Sequence, residues 1–182
     1  MDSIVNLTRA YHFAARRHVD QRRKGEAAEP YINHLTEVAE LIAEATDGNE
    51  PELIVGAILH DVVEDTPVTI EEVAAEFGEN VAALVAQVTD DKSLPKAERK
   101  RLQVEHAGQL TQGAAMIKLA DKTSNLRALA KSPPAGWPLE RKAEYLAWAR
   151  QVVARCRGAN PSLEAAFDEA AGALEAALVQ EG

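Results

Sequence analysis

Two titratable residues, His60 and Asp61, follow directly on the apolar run that ends at Leu59. A buried carboxylate is costly unless something positive meets it, and a metal ion suits an imidazole next to a carboxylate, because both are good ligands. Glu64 lies four residues after His60 and Asp65 four residues after Asp61, which places them one helical turn further along. The spacing indicates a hydrated cation at the end of a buried helix. The alternative is a frayed helix end in which His60 and Asp61 pair only with each other.

Two further positions could take part in this chemistry. His34 stands at the start of a new helix and is crowded by Tyr31 and Asn33, and Asp121 is a carboxylate among apolar neighbours. A carboxylate in such surroundings again needs a positive partner. The remaining histidines are expected to be surface or partly buried residues without a functional partner, and they are His12, His18 and His106.

Positive charge is concentrated in two segments, residues 16–24 and 96–101. The first follows a predicted helix end, where cations interact favourably with the helix dipole. The second suits an exposed helix face. Either segment could instead meet an anionic ligand, and both interpretations stay open.

Apolar residues recur with helical spacing along the chain, and no strand-like alternation of any length occurs. The central helix should begin at Pro51, a favoured residue in a first turn, and run to about Glu64. The pattern predicts an all-α fold, an orthogonal bundle of eight to nine helices in a single domain of residues 1–182. The predicted helices cover residues 3–21, 33–45, 51–64, 69–77, 79–89, 95–110, 114–130, 139–157 and 161–180.

The composition limits the possible functions. The 182 residues are 46% apolar, 27% charged and 4% aromatic, values typical of a globular and mainly helical protein. The net charge of −9 argues against a nucleic-acid partner, which requires a basic surface. A single cysteine, Cys156, allows neither an intrachain disulfide nor a cysteine cluster for zinc. Without an apolar span or a leader, no membrane association is expected, and a cytoplasmic location is the default.

Five ordered motifs together resemble the HD-domain phosphohydrolases, and more closely the RelA/SpoT-type guanosine tetraphosphate (ppGpp) hydrolases. An isolated His, a His-Asp doublet and a distant Asp are common to that superfamily. The length is similar to that of the small stand-alone members, the metazoan SpoT-homologue type. The motifs that carry the resemblance cover residues 21–24, 30–34, 59–66, 88–92 and, as the fifth, 118–122 with 125–127.

The resemblance implies a metal site and a catalytic pair. Its ligands would be His34, His60, Asp61 and Asp121, and the ion in this family is usually manganese, Mn²⁺. The donor types alone suit manganese, iron or zinc. The family's Glu-Asp pair, which orients and deprotonates the attacking water, corresponds to Glu64 and Asp65.

The implied reaction is hydrolysis of the 3′-diphosphate of guanosine 3′,5′-bis(diphosphate), which yields GDP and pyrophosphate and lowers alarmone levels in the stringent response. Arg23 and Lys24 match positions near the base and ribose, and Asn125 can reach the sugar from the helix face of Asp121. The expected contacts to the remaining phosphates or the nucleoside are Lys96, Trp137, Arg141 and Tyr145. The two aromatic residues among them could instead belong to the core.

Four residues depart from the family pattern: Leu35, Gly25 and the pair Thr123-Ser124. None of them is expected to touch a proposed ligand, so they bear on substrate preference more than on catalysis.

Three alternatives remain on sequence alone. A related phosphohydrolase could act on another nucleotide, such as the 2′-phosphate of NADPH. A non-catalytic module could bind a guanine nucleotide and signal through a partner, but it would have no use for Glu64 and Asp65. A purely structural helical adaptor would have to explain the buried-looking histidines and carboxylates as accidents. The oligomeric state is not predicted.

Overall fold

The computed structural model describes residues 3–181 and consists of helices joined by short turns. Among the described residues no strand occurs, apart from an isolated antiparallel bridge between Arg22 and Pro30. The ten helical segments are α1 (Ser3–Arg17), α2 (Ile32–Ala45), α3 (Pro51–Leu59), α4 (Val62–Asp65), α5 (Ile70–Phe77), α6 (Glu79–Val88), α7 (Lys96–Ala107), α8 (Gln112–Lys131), α9 (Leu139–Cys156) and α10 (Pro161–Glu181).

The predicted all-α class is confirmed, and the helix count depends on one joint. His60 and Asp61 alone separate α3 from α4, so counting those two segments as one helix gives nine within the described residues. Sequence analysis predicted one continuous helix here, because neither Gly nor Pro interrupts it. The backbone at Asp61 stays near the helical region, with φ −99° and ψ −3°. The break is therefore a local loss of helical hydrogen bonding at the two residues that carry the imidazole and carboxylate.

Two buried helices, α3 and α8, form the centre of the molecule. Every residue from Leu53 to Leu59 is buried, which explains the absence of a polar face in that stretch. Helix α6 crosses close to α3 at Gly56, where an added Cβ would lie 3.2 Å from Leu84 Cδ1. Helix α8 is enclosed by α2, α6, α9 and α10. Because α2, α3 and α8 also contact one another, side chains from all three can meet at one point.

The residues that the sequence marks as helix caps make the expected capping hydrogen bonds. The Thr69 hydroxyl accepts a hydrogen bond from the Glu72 amide at 3.2 Å, and the Asn160 side chain accepts one from the Leu163 amide at 3.1 Å. Helix α5 ends at Phe77 and is followed by Gly78, whose φ of 96° suits glycine.

Helix α1 ends at Arg17, short of the predicted end near residue 21. The chain turns there, and Arg22 donates hydrogen bonds to the carbonyls of Val19 and Gln21, both at 2.9 Å. The segment that follows is pinned to itself, since Arg23 N–H donates to the Glu29 carbonyl at 2.9 Å and Tyr31 N–H to the Gln21 carbonyl at 3.0 Å. We call residues 21–31 the pinned loop.

Within residues 3–181 no helix combines the length and the apolar character needed to cross a membrane.

Candidate metal centre

Side chains from α2, from the α3–α4 joint and from α8 converge on one buried point. His34 Nε2 lies 3.3 Å from Asp121 Oδ1 and 3.6 Å from Asp61 Oδ2. His60 Nε2 lies 3.0 Å from Asp61 Oδ2 and 3.9 Å from Asp121 Oδ1. The structure thus brings together the four residues that the sequence predicted as ligands.

The arrangement fits a divalent cation. Ligand atoms bound at about 2.1 Å and at right angles to one another lie about 3 Å apart, close to the shorter of the observed distances. His60 Nδ1 donates to the Ala57 carbonyl at 2.8 Å, so in the neutral imidazole, the form that binds a metal, the lone pair is at Nε2. That Nε2 is buried and makes no hydrogen bond of good geometry. An unpartnered buried nitrogen beside two carboxylates is what a metal ion would complete, and two imidazoles with two carboxylates suit manganese, iron or zinc.

The charges in this cluster compensate one another even without an ion. Burial disfavours ionised Asp61, but His60 and His34 outweigh burial and hold the pKa of that carboxyl well below its usual range. Burial disfavours ionised Asp121 as well, and the Lys122 ammonium and the two imidazoles hold its pKa low. Burial alone would lower the pKa of His60, yet the neighbouring carboxylates raise it to about 9. A cluster that attracts a proton this strongly is also suited to a cation.

Each of the two candidate carboxylate ligands, Asp61 and Asp121, is held by further side chains. The Tyr31 hydroxyl donates to Asp61 Oδ2 at 2.6 Å. Lys122 Nζ donates to Asp121 Oδ2 at 2.9 Å, and Asn125 Nδ2 donates to Asp121 Oδ1 at 2.6 Å. Such outer partners fix the orientation of metal ligands.

One expectation about this region is wrong. Ser124 was expected to stay clear of the proposed ligands, but its Oγ lies 2.8 Å from His34 Nδ1. The reason is geometric: Ser124 follows Asp121 by three residues on α8, so it faces α2 beside that carboxylate.

Glu64 and Asp65, the predicted catalytic pair, lie on α4 one turn beyond the centre. Glu64 Oε2 accepts a hydrogen bond from the Asp90 amide at 3.1 Å, and Arg99 lies 3.9 Å from the other oxygen. Burial, followed by the charges of Asp61 and Asp90, raises the pKa of Glu64 to about 7.

Asp65 has different partners. Its Oδ2 accepts a hydrogen bond from Gln21 Nε2 at 2.7 Å, and its Oδ1 pairs with the Lys92 ammonium. The backbone amide of Asp65 donates to the carbonyl of Asp61 at 2.9 Å, so the backbone of α4 connects Asp65 to a candidate metal ligand.

An open cleft of about 500 Å³ lies over this pair, and a basic annex of about 310 Å³ adjoins it. The predicted substrate residues that line the cleft are Arg23, Lys24, Asn125, Trp137 and Tyr145. Lys96 and Arg141 line the annex, together with Lys24, Lys100, Trp137 and Tyr145. Every predicted substrate residue therefore faces one of two adjoining cavities.

Several of these side chains are already engaged. The Arg23 guanidinium donates to Ser124 Oγ at 3.2 Å and to Asn125 Oδ1 at 3.1 Å. The Arg141 guanidinium lies 4.2 Å from the centre of the Trp137 ring. Trp137 and Tyr145 are partly buried but line the cleft, so they are not simply core residues.

Some residues in and next to the cleft were not predicted from the sequence. His18 was expected to have no functional partner, but it is buried, its Nδ1 lies 2.6 Å from Gln21 Oε1, and its ring stacks on Tyr31. Gln21 and Lys92 had appeared in motifs without an assigned role, although both touch Asp65. Their places in those motifs were the available signal.

Residues 10–149 match the HD domain family. The chain belongs to the HD domain family. Two similar proteins carry the name guanosine-3′,5′-bis(diphosphate) 3′-pyrophosphohydrolase MESH1. The one from Homo sapiens is 49% identical over 163 residues, which cover 90% of this chain and 91% of that protein. The one from Danio rerio is 48% identical over 162 residues, which cover 89% and 90% respectively.

A solved structure, described as that of a metazoan ortholog of SpoT that hydrolyzes ppGpp, is also similar to this HD domain. It aligns with a TM-score of 0.87 at 44% identity, and the match covers 91% of this chain and 93% of that one. The family resemblance predicted from the ordered motifs is thereby confirmed.

Proposed function

We propose that this HD domain, residues 1–182, is a hydrolase that removes the 3′-diphosphate of guanosine 3′,5′-bis(diphosphate). The observation that carries the proposal is the convergence of His34, His60, Asp61 and Asp121 directly beneath a cleft that holds Glu64 and Asp65. The names of the similar proteins from Homo sapiens and Danio rerio support the choice of substrate.

The reaction balances with water as the only co-reactant. The oxygen of water attacks the phosphorus that is attached to the 3′-oxygen, and the bond between that phosphorus and the 3′-oxygen breaks. Pyrophosphate leaves with the oxygen of water, the 3′-oxygen takes a proton, and GDP remains. From the 5′-triphosphate form of the nucleotide the second product is GTP.

The metal ligands would be His34, His60, Asp61 and Asp121, and we assign manganese as the ion. When bound, such an ion lowers the pKa of water and neutralises charge on a phosphoryl oxygen. The chain's own contribution is to fix the ligands, through Tyr31 on Asp61 and through Lys122 and Asn125 on Asp121.

Glu64 and Asp65 would orient the attacking water and take its proton. A group whose pKa is near 7, as that of Glu64 is in the metal-free protein, can accept and release a proton close to neutral pH. Gln21 and the Asp90 amide hold the two carboxylates in place, so their free lone pairs can face the water.

The basic annex would hold the phosphates away from the reacting centre. Lys24, Lys96 and Arg141 line it, and none of these three has a carboxylate partner among the described ion pairs. Burial, followed by the charges of Arg141 and Lys24, lowers the pKa of Lys96, and the part due to charge is expected where cations lie close enough together to receive an anion. Arg23 would approach the guanine base, where a guanidinium plane can stack.

The test begins with metal analysis of the purified protein and continues with pyrophosphate release from guanosine tetraphosphate. We expect one divalent ion per chain and a kcat in the range common for enzymes. Phosphate release from NADPH is assayed in parallel. Asp61→Asn should lose both metal and turnover. Tight nucleotide binding without pyrophosphate release at full metal loading would contradict the proposal and favour a binding module, and faster turnover of NADPH would reassign the substrate.

The setting of this activity is part of the same proposal. A small nucleotide would be the partner, and we assign the protein to the cytoplasm. The net charge of −9 argues against a nucleic-acid partner.

A further inference from the structure

Ser124 lies at the centre of a short chain of hydrogen bonds that leads away from the metal centre. Its Oγ is 2.8 Å from His34 Nδ1, and its hydroxyl donates to Glu37 Oε2 at 2.6 Å. His34 and Ser124 are both buried, so water does not compete for the contact between them. Glu37 is on α2 one turn beyond His34, which makes the chain a bridge between α8 and α2.

The number of protons decides the direction of each bond. A serine hydroxyl has one proton, and here that proton goes to the Glu37 carboxylate. Towards His34 the oxygen can therefore only accept, so Nδ1 of that imidazole must carry its proton. The lone pair of the ring is then at Nε2, the atom that faces Asp121 at 3.3 Å and Asp61 at 3.6 Å.

Two guanidinium groups hold Glu37, the far end of this chain of hydrogen bonds. Arg127 Nη1 donates to Glu37 Oε1 at 3.3 Å, and Arg23 Nη1 lies 4.0 Å from Glu37 Oε2. Arg23 also donates to Ser124 Oγ at 3.2 Å, which occupies the second lone pair of that oxygen. With both lone pairs accepting and the proton donated, the hydroxyl has no other orientation available.

The second imidazole is oriented in another way. His60 Nδ1 donates to the Ala57 carbonyl of its own helix, a partner that no side-chain change can remove. His34 alone depends on side chains from two helices for its tautomer.

We propose that Ser124 and Glu37 are positioning residues that fix the tautomer and orientation of His34 for a divalent cation. The proposal rests on the proposed function, because the cation site is the same one, but it concerns metal affinity and not the identity of the substrate. Removing an outer partner of a metal-binding imidazole typically weakens metal affinity by about 10–100-fold.

The main test measures Mn²⁺ affinity of the metal-free protein by titration calorimetry. Ser124→Ala should raise the Kd by about 10–100-fold. The matched control is Thr123→Val, which also removes a buried hydroxyl from α8, but one that donates only to the Leu119 carbonyl of the same helix at 2.8 Å. The control should keep the Kd of the wild type.

A second readout follows the tautomer itself. In the metal-free protein, ¹⁵N spectra of the histidine side chains should show a proton on Nδ1 of His34. Glu37→Ala removes the acceptor and lets the serine proton turn towards His34, so the Nδ1-protonated form should decline and the Kd for Mn²⁺ should rise. Glu37→Gln retains an acceptor oxygen and should restore most of the affinity.

The outcomes separate the two proposals. An unchanged Kd in Ser124→Ala, or an equal loss in Thr123→Val, would overturn the positioning role while leaving the metal site in place. A wild-type protein that binds no divalent ion would instead overturn the proposed function.

Discussion

At the scale of single residues, the two acids on α4 differ in what holds them. Asp65 is held by Gln21 and Lys92, and neither of these residues touches a metal ligand directly. Asp65→Asn should therefore keep the metal and lose turnover by about 10²–10⁴-fold, the usual contribution of general-base help. Metal content by mass spectrometry and pyrophosphate release check this. If Asp65→Asn and Asp61→Asn lost metal equally, the division of roles would be wrong.

Glu64 should make stability depend on pH. Burial and the charges of Asp61 and Asp90 raise its pKa from 4.5 to about 7, so the folded metal-free protein binds this proton more tightly than the unfolded chain does. Its contribution to stability is present below pH 4.5 and is lost as the pH rises through 7. Glu64→Gln cannot ionise and should avoid that loss.

Thermal unfolding of metal-free Glu64→Gln should match the wild type at pH 4 and exceed it at pH 8 by at least about 2 °C, the shift expected for 1 kcal/mol in a chain of this size. Glu71→Gln, an exposed acid on α5, serves as the control and should gain nothing at pH 8. A higher melting temperature at pH 4 and an unchanged one at pH 8 would reverse the sign and contradict the argument.

The four residues that meet at the candidate metal centre could be predicted from sequence because the order of the motifs resembles that of a known family, and the structure brings those residues together. The orienting contacts could not. Ser124 and His34 are 90 positions apart, and nothing in either local segment shows that α8 packs its Ser124 face on α2. His18 looked unpartnered for the same reason, because its ring contact with Tyr31 exists only after the chain turns back on itself.

At the scale of elements, the pinned loop rests on the end of α8. A Cβ added at Gly25 would lie 2.2 Å from the Ser132 carbonyl oxygen, so Gly25→Ala must displace the loop. We expect a loss of about 1–3 kcal/mol in the free energy of unfolding, as for other overpacked sites. Because the same loop carries Arg23, the KM for guanosine tetraphosphate should rise as well.

A matched glycine lies on α10. Nothing is within 4 Å of a Cβ added at Gly172, so Gly172→Ala should raise the free energy of unfolding by about 0.5–1 kcal/mol and leave KM unchanged. Urea unfolding and steady-state kinetics measure both variants. Equal behaviour of the two alanine variants would show that the contact at Ser132 has no effect.

Helix positions were predicted well because capping residues, prolines and glycines mark them locally, as Thr69, Gly78 and Asn160 do. The joint between α3 and α4 was not predicted. Periodicity and breakers report local preference, whereas this break occurs where side chains of His60 and Asp61 converge with His34 and Asp121, which a local pattern does not contain.

At the scale of the whole molecule, the cation should act as a cross-link between distant segments. Its proposed ligands lie on α2, at the α3–α4 joint and on α8, and an unfolded chain does not hold them together. Mn²⁺ at 100 times its Kd should therefore add about 2.7 kcal/mol to the free energy of unfolding. Thermal unfolding with Mn²⁺ and with a chelator checks this. His60→Ala should melt at one temperature under both conditions, and a wild type insensitive to chelation would contradict the cross-link.

The pinned loop described above joins its two ends by backbone hydrogen bonds between residues 21 and 31 and between residues 23 and 29. Three of these paired residues also contact the site. Gln21 donates to Asp65, Arg23 to Ser124 and Tyr31 to Asp61. The stretch from 24 to 28 forms the tip between these pins, and Lys24 and Gly25 of that tip line the cleft. Insertions or deletions at the tip should alter which nucleotides enter the cleft, while the outer pin keeps Gln21 on Asp65 and Tyr31 on Asp61. The tip of the loop is therefore the part of this fold in which substrate preference can change while the proposed catalytic residues stay the same.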